Sequence, residues 1–256
     1  MIVLDLQKTT NDISQFIFDT LASSGMKKII VALSGGVDSA LSTTLASKLL
    51  GKDQIHVVLL PYGKLNQLGI EDAKHVIEKL HIPQEQVHMV DIAPAVEKIV
   101  ENIYEIDDIR RGNVMARVRM IYLFDLAKKL GALVCGTENK TEHHLGYFTR
   151  FGDEASDIEP IRSLYKTQVW ELASFVGVPD AIIKKSPTAG LWDGQTDEGE
   201  LGFSYKDADI VLYYYIDEKL TLDQIVEKGF SFEVASKVIE RVVSNEFKHH
   251  SPKIFR

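Results

Sequence analysis

Apolar residues recur along this chain with two alternating periods. Ile13, Phe16, Ile17 and Leu21 fall at i, i+3, i+4 and i+8, the spacing of one helix face, and the pattern stops near Gly25. The next run, Lys27-Lys28-Ile29-Ile30-Val31-Ala32-Leu33, is rich in β-branched residues and is ended by Ser34-Gly35-Gly36, so it reads as a buried strand. A helix is expected through Leu41, Leu45 and Leu49 to Gly51. The alternation then continues: Ile55 to Leu60 as a strand, Ile70 to Leu80 as a helix with Ala73, Val76, Ile77 and Leu80 on one face, and Val87 to Ile92 as a third strand. Pro94 suits the first turn of the following helix, where its missing N–H is not needed. A long helix from about Ile109 to Leu130 ends at Gly131 and leads into Ala132 to Gly136, a fourth strand.

Strands alternating with helices predict an α/β protein: a Rossmann-like parallel sheet with helices on both faces, followed by a helical C-terminal extension. Ligands bind such sheets at the carboxyl ends of the strands, which directs attention to the loops after Leu33 and Cys135. No repeat or low-complexity linker divides the 256 residues, so a single domain over 1–256 is expected, with a core of about 25–185 and a C-terminal loop and helices of about 186–256.

Charge narrows the chemistry. Lys and Arg total 29 against 37 Asp and Glu, a net charge of −8, which disfavours a nucleic-acid partner but allows a local basic pocket for a small anion. The longest apolar run, Ile210 to Ile216, is far below the ~18 residues of a membrane helix. The lone Cys135 has no partner within the chain, and the start, Met1-Ile2-Val3-Leu4-Asp5, lacks the basic and apolar regions of a leader; a cytoplasmic location is expected.

The segment Leu33-Ser34-Gly35-Gly36-Val37-Asp38-Ser39-Ala40 joins a strand to a helix. Adjacent glycines let an anion approach the main chain, and the helix start adds free N–H groups and a positive dipole end. A plainer reading is a strand-to-helix turn in which Asp38 favours the helix dipole. Neither G-x-x-x-x-G-K-[ST] nor G-x-G-x-x-G is present here. Ser34-Gly35-Gly36-Val37-Asp38-Ser39 resembles the S-G-G-x-D-S signature of the N-type ATP pyrophosphatases, which cleave ATP between the α and β phosphates.

Within that superfamily, later residues resemble the NAD synthetases. Cys135-Gly136-Thr137-Glu138-Asn139-Lys140-Thr141-Glu142, Gly146-Tyr147-Phe148-Thr149-Arg150-Phe151-Gly152-Asp153 and Asp157-Ile158-Glu159-Pro160 follow that family's block. So do Tyr165 to Val169, Gly177-Val178-Pro179, Pro187 to Trp192 and Gly194 to Glu198. The resemblance implies that ATP lies on the 33–40 loop, Thr137, Lys166 and Thr188, with Lys166 on its phosphates, and that Mg²⁺ is held by Asp38 and Glu142. It assigns Arg117, Arg150, Asp157 and Lys248 to deamido-NAD, and a homodimer to the assembly. Helical spacing puts Arg117 on one stripe with Val114, Ile121 and Phe124, where a charge is costly unless paired or in contact with an anion.

The chain departs from the family at Arg150, where Lys is usual, at Glu154-Ala155, and at Phe247, which replaces a histidine that His249 or His250 would have to supply. The implied reaction is adenylation of the nicotinate carboxylate followed by attack of ammonia. Asp153, on the loop between the ATP and dinucleotide motifs, is the candidate to take a proton from ammonium. Cys135 sits in a strand expected to be buried and is not read as a glutaminase nucleophile, and the length leaves no room for a glutaminase domain. A non-catalytic ATP-binding module, or a pyrophosphatase adenylating another substrate, are the alternatives. Loops 152–156 and 187–204 carry the residues expected of mobile lids. The Tyr213-Tyr214-Tyr215 and His143-His144 clusters are read as packing or surface, and His249-His250 lacks the partners a zinc site needs.

Overall fold

The computed structural model describes residues 3–250, 252, 254 and 255; Met1 and Ile2, part of the start read for a leader, lie outside the described residues. Helix α1 spans Leu6–Ser24, capped by the Asp5 carboxylate on the Lys8 N–H and closed by Gly25 in the left-handed region. Then follow β1 (Lys28–Ala32), α2 (Val37–Ala46), β2 (Ile55–Leu59), α3 (Gln67–Lys79), β3 (Val87–Met89), α4 (Ala93–Val100), α5 (Asp108–Leu130) and β4 (Ala132–Cys135). Helices α6 (Lys140–Leu145), α7 (Lys166–Val176), α8 (Asp180–Ile183) and α9 (Asp197–Leu201) lead to α10 (Tyr205–Leu212), α11 (Leu222–Glu227) and α12 (Phe232–Asn245).

The sheet is parallel throughout, in the order β3-β2-β1-β4, with Ile30 paired to His56 on one side and Val134 on the other. Side chains alternate across it. Ile29, Val31, Val57, Leu59 and Cys135 pack under α1, α2, α3 and α7, while Ile30, Val58 and Val134 pack under α4 and α5. Both faces are thus covered, which is why the strands read as continuous apolar runs.

Three details differ from the sequence reading. Helix α2 ends at Ala46, because the Lys48 N–H turns back to the Leu45 carbonyl and the Ser47 hydroxyl to that of Thr44, and Leu49 is left 47% exposed. Strand β3 stops at Met89. On α5 the inward face is Met115, Val118, Leu123 and Ala127, so Arg117 and Ile121 face outward and Arg117 lies on no buried stripe.

Helices α10, α11 and α12 form a third core around Tyr205, Leu212, Ile225 and Val238, and Leu145 of α6 and Tyr165 before α7 are part of it. Tyr213, Tyr214 and Tyr215 pack against that core through a π-helical turn, as packing residues. The extension is therefore anchored to the loops at the carboxyl end of the sheet. Among the described residues no helix is long and apolar enough to cross a membrane.

Candidate active site

Strands β1 and β4 lie side by side, and the chain leaves β1 toward β2 on one side while β4 stands on the other. This is the switch point at which parallel sheets open a crevice. The loop after β1 is ordered by its own serines: Ser39 Oγ donates to the Gly36 carbonyl at 3.0 Å and accepts the Ser34 N–H at 3.2 Å. Gly36 starts α2 with no side-chain cap, so the first-turn N–H groups face the crevice without a helical partner. Asp38 follows in that turn.

The loop after β4 reaches Asn139, which caps α6 by accepting the Glu142 N–H at 3.0 Å while the Glu142 carboxylate takes the Asn139 N–H at 3.4 Å. Asn139 also donates its side-chain amide to Asp38 Oδ1 at 2.8 Å, tying the two loops together. Lys166 opens α7, a position where the helix dipole disfavours a cation. The residue is only 2% exposed, and its ammonium sits 2.5 Å from Asp38 Oδ2 and 3.0 Å from Glu142 Oε1, with the Tyr205 ring 5.1 Å away. Burial by itself lowers the Lys166 pKa, but Asp38 and Glu142 outweigh it and the net direction is upward, so Lys166 is charged. The Glu142 carboxyl is pushed above its ordinary range, by burial first and by Asp38 and Asp197, against the opposing pull of Lys166.

Asp38 and Glu142 already converge on one cation with oxygen donors alone, a donor set that suits Mg²⁺, which is commonly held by one or two carboxylates plus substrate phosphates. Among the described residues no group of three or more His, Cys, Asp or Glu stands ready as a complete cage, so phosphate and water would supply the other ligands.

Several residues without an expected role hold this cluster. Asp209, fully buried on α10, accepts the Thr141 hydroxyl at 2.5 Å and the Thr167 N–H at 2.8 Å, and Thr141 in turn accepts the Lys166 N–H at 2.9 Å. Asp197, 4% exposed, accepts the hydroxyls of Tyr205 at 2.9 Å and Tyr147 at 3.1 Å. Its N–H bonds to the Pro187 carbonyl, closing the loop that carries Thr188. Thr188 itself accepts the Gly190 N–H. Behind β4, Arg162 bridges Glu138 at 2.6 Å and Glu159 at 3.1 Å, and a Cβ on Gly136 would stand 2.0 Å from the Glu159 carboxylate. Burial, with Glu138, pushes Glu159 up to about 7 against Ser156 and Arg162. Thr137 is half-buried beside these groups. The Cys135 thiol is buried and its pKa raised, by burial first and then by Glu159, as expected of inert packing.

A second group gathers on the other loop. Lys248 donates to the carbonyls of Gly146 at 2.6 Å and Phe148 at 3.0 Å, Arg150 donates to that of His250 at 2.6 Å, and Arg117 donates to that of Arg150 at 3.2 Å. Among the described residues none of these three cations forms an ion pair with a carboxylate. Asp157 extends the edge of β4, its carboxylate accepting the Val134 N–H at 2.7 Å. Asp153 accepts the Thr149 N–H at 2.9 Å; the residue is exposed, yet neighbouring protein partly desolvates its carboxyl and raises its pKa, with the Thr149 N–H opposing. Phe247 is 61% exposed, whereas the His249 ring packs 4.3 Å from that of His143 and 5.6 Å from that of Phe148.

The chain is 39% identical over 251 residues to an NH(3)-dependent NAD(+) synthetase of Fusobacterium nucleatum, covering 98% of this chain and 96% of that one. Among solved structures, an NMN synthetase from Francisella tularensis matches with a TM-score of 0.86 at 30% identity, covering 98% of this chain and 99% of that one. An NH3-dependent NAD synthetase from Campylobacter jejuni matches at 0.84 and 28%, covering 99% and 100%. The family model described as NAD synthase matches residues 9–252, and with this match and the near-complete coverage of its relatives in agreement, the chain belongs to the NAD synthase family.

Proposed function

We propose that the protein amidates nicotinic acid adenine dinucleotide to NAD with ammonia, at the expense of ATP cleaved to AMP and pyrophosphate. The observation that carries this reading is Lys166 held between Asp38 and Glu142, where the phosphate loop meets the loop after β4. The ATP phosphates would lie along residues 33–40, between Thr137 and Thr188, with Lys166 as a compact positive charge on them. Mg²⁺, bound by Asp38 and Glu142, would offset the charge of the polyphosphate.

A nicotinate carboxylate oxygen attacks the α-phosphorus, the bond to the bridging oxygen breaks, and pyrophosphate leaves. Ammonia then attacks the activated carbonyl, and AMP leaves with the bonding pair. Ammonia arrives as ammonium at neutral pH, and Asp153, whose carboxyl is pushed above its ordinary range, accepts its proton. Arg117, Arg150 and Lys248, held by backbone carbonyls and, among the described residues, by no carboxylate ion pair, supply the positive surface for the dinucleotide phosphates, with Asp157 at its rim.

The enzyme works in the cytoplasm as a homodimer on small molecules, without nucleic acid or membrane. Ile109 and Ile121, 62% and 59% exposed on α5, are apolar surface that pairing would cover, and sedimentation of the purified chain tests it.

A second reading has one specific support: the Francisella tularensis protein with the same fold is named an NMN synthetase. Incubation with ATP, Mg²⁺ and ammonia, and with either nicotinic acid dinucleotide or mononucleotide, separates the two. NAD, AMP and pyrophosphate in equal amounts are expected with the dinucleotide. Amide product from the mononucleotide alone overturns the proposal in favour of the second reading, and ATP binding without turnover in favour of a non-catalytic module. Glutamine is not expected to replace ammonia.

A further inference from the structure

Lys166 stands where a divalent cation would stand. Each of the four oxygens of Asp38 and Glu142 already has a donor: Asp38 Oδ1 takes the Asn139 amide, Asp38 Oδ2 and Glu142 Oε1 take the Lys166 ammonium, and Glu142 Oε2 takes the Asn139 N–H. A metal ion cannot lie between the same two carboxylates while the ammonium remains, since the two cations repel at that distance. Lys166 cannot simply withdraw either. It is 2% exposed, at a helix N-terminus, and a buried ammonium without an anion is strongly disfavoured. An incoming polyphosphate on the adjacent loop is the anion that would release it.

Resting on the reading of Asp38 and Glu142 as the metal pair, we infer that Lys166 is an internal cation that keeps the metal site closed until nucleotide phosphates draw its ammonium away. Divalent cation and ATP then bind as coupled ligands, each raising the affinity of the other. Before substrate arrives the two carboxylates stay paired with one ammonium, and the metal centre forms only around the nucleotide it serves.

The test is metal binding, not turnover. Mn²⁺ uptake by nucleotide-free protein, followed from the electron paramagnetic resonance of free Mn²⁺, is expected to be at least about tenfold tighter for Lys166→Gln than for the wild-type chain, to remain weak in Lys166→Arg, and to lose the gain in Lys166→Gln/Glu142→Gln. Should Lys166→Gln fail to fold, the wild-type chain still decides. Its amide resonances around Asp38 and Glu142 are expected to broaden with Mn²⁺ plus ATP and to stay sharp with Mn²⁺ alone. Nucleotide-free wild-type protein that binds Mn²⁺ at these carboxylates as tightly as Lys166→Gln, or whose resonances there broaden without ATP, overturns the inference alone. No broadening there even with ATP overturns the metal reading beneath it.

Discussion

A Cβ placed on Gly35 would stand 2.0 Å from the carbonyl oxygen of Gly69, so the loop after β1 and the first turn of α3 touch through two residues without side chains. Gly35 also has φ +81°, in the region that L side chains avoid at a cost of about 1–2 kcal/mol. Gly35→Ala is therefore doubly penalised, because the clash is with backbone and cannot be relieved by a rotamer change. Urea denaturation is expected to show a loss of at least about 2 kcal/mol, and calorimetric titration an ATP affinity at least about tenfold weaker. Wild-type stability and affinity in this variant would show that the loop can move off α3.

Asp209 lies far from the crevice in sequence yet sets the starts of both α6 and α7, through Thr141 and Thr167. Its pKa is raised by burial and held back by those two donors, so it functions as a satisfied buried acceptor. Asp209→Ala leaves the Thr141 hydroxyl and the Thr167 N–H without it, at about 1.5–3 kcal/mol for a charged hydrogen-bond partner. We expect that loss in denaturation, together with a lower kcat, since Glu142 and Lys166 depend on the same two helix starts.

The strand-helix alternation and the Ser34-Gly35-Gly36 turn between β1 and α2 were legible because each is local: a period, or a turn within a few residues. Asp38, Glu142 and Lys166 could be singled out only through a resemblance, as metal ligands and a phosphate contact, and nothing in their spacing foretells that they pair with one another. Asp197, Asp209 and the Glu138–Arg162–Glu159 bridge went unread for the same reason. They are polar residues buried by tertiary packing, and their partners lie on other elements. On α5, two adjacent stripes are both rich in apolar residues, and only the sheet decides that Met115 and Val118 turn inward while Ile121 does not. A signal for Asp209 did exist: an aspartate within the apolar face of α10, between Ala208 and Val211, is costly unless something donates to it.

Stability is expected to fall in mild acid through His56. This residue is 4% exposed in the middle of the sheet, with Nδ1 3.1 Å from Nε2 of His88, a hydrogen bond that needs one ring to accept. Burial first, then Lys28 and His88, lower its pKa from 6.5 to about 4, and His88 is lowered by burial and Lys129. Above pH 6.5 His56 is neutral in both folded and unfolded chains and its contribution is complete. As pH falls from 6.5 toward 4 the unfolded chain takes up a proton that the folded one refuses, so stability declines across that window. The urea midpoint should drop between pH 7 and pH 5. In His56→Val, whose side chain suits the apolar face shared with Ile30 and Val58, the drop should be smaller.

Tyr205 joins the Thr188 loop to the Lys166 cluster, since its hydroxyl is held by Asp197 while its ring faces the ammonium. Tyr205→Phe keeps the ring and removes the tether. Asp197 then retains Tyr147, and the cost is about 1–3 kcal/mol. The expected signature is a KM for ATP raised several-fold and faster proteolysis within 187–204, with an unchanged circular dichroism spectrum. Equal proteolysis in both proteins would mean that the loop is secured elsewhere.

Among the described residues Arg117, Arg150 and Lys248 form no ion pair with a carboxylate, and backbone carbonyls fix their positions. Burial and Arg241 lower the Lys248 pKa, with Asp153 opposing, so a phosphate arriving there is favoured because its charge offsets the desolvation of the ammonium and the repulsion from Arg241. Lys248→Met removes one charge-assisted contact, about 1.5–3 kcal/mol, and should raise the KM for the dinucleotide about 10- to 100-fold while the KM for ATP changes less than about twofold. Arg150→Lys keeps the charge and exchanges the planar fork for a point donor, so its effect should be smaller and should fade as ionic strength rises. Parallel rises in both KM values for Lys248→Met would instead place Lys248 in the support of the ATP loops, and the positive surface would then rest on the two arginines.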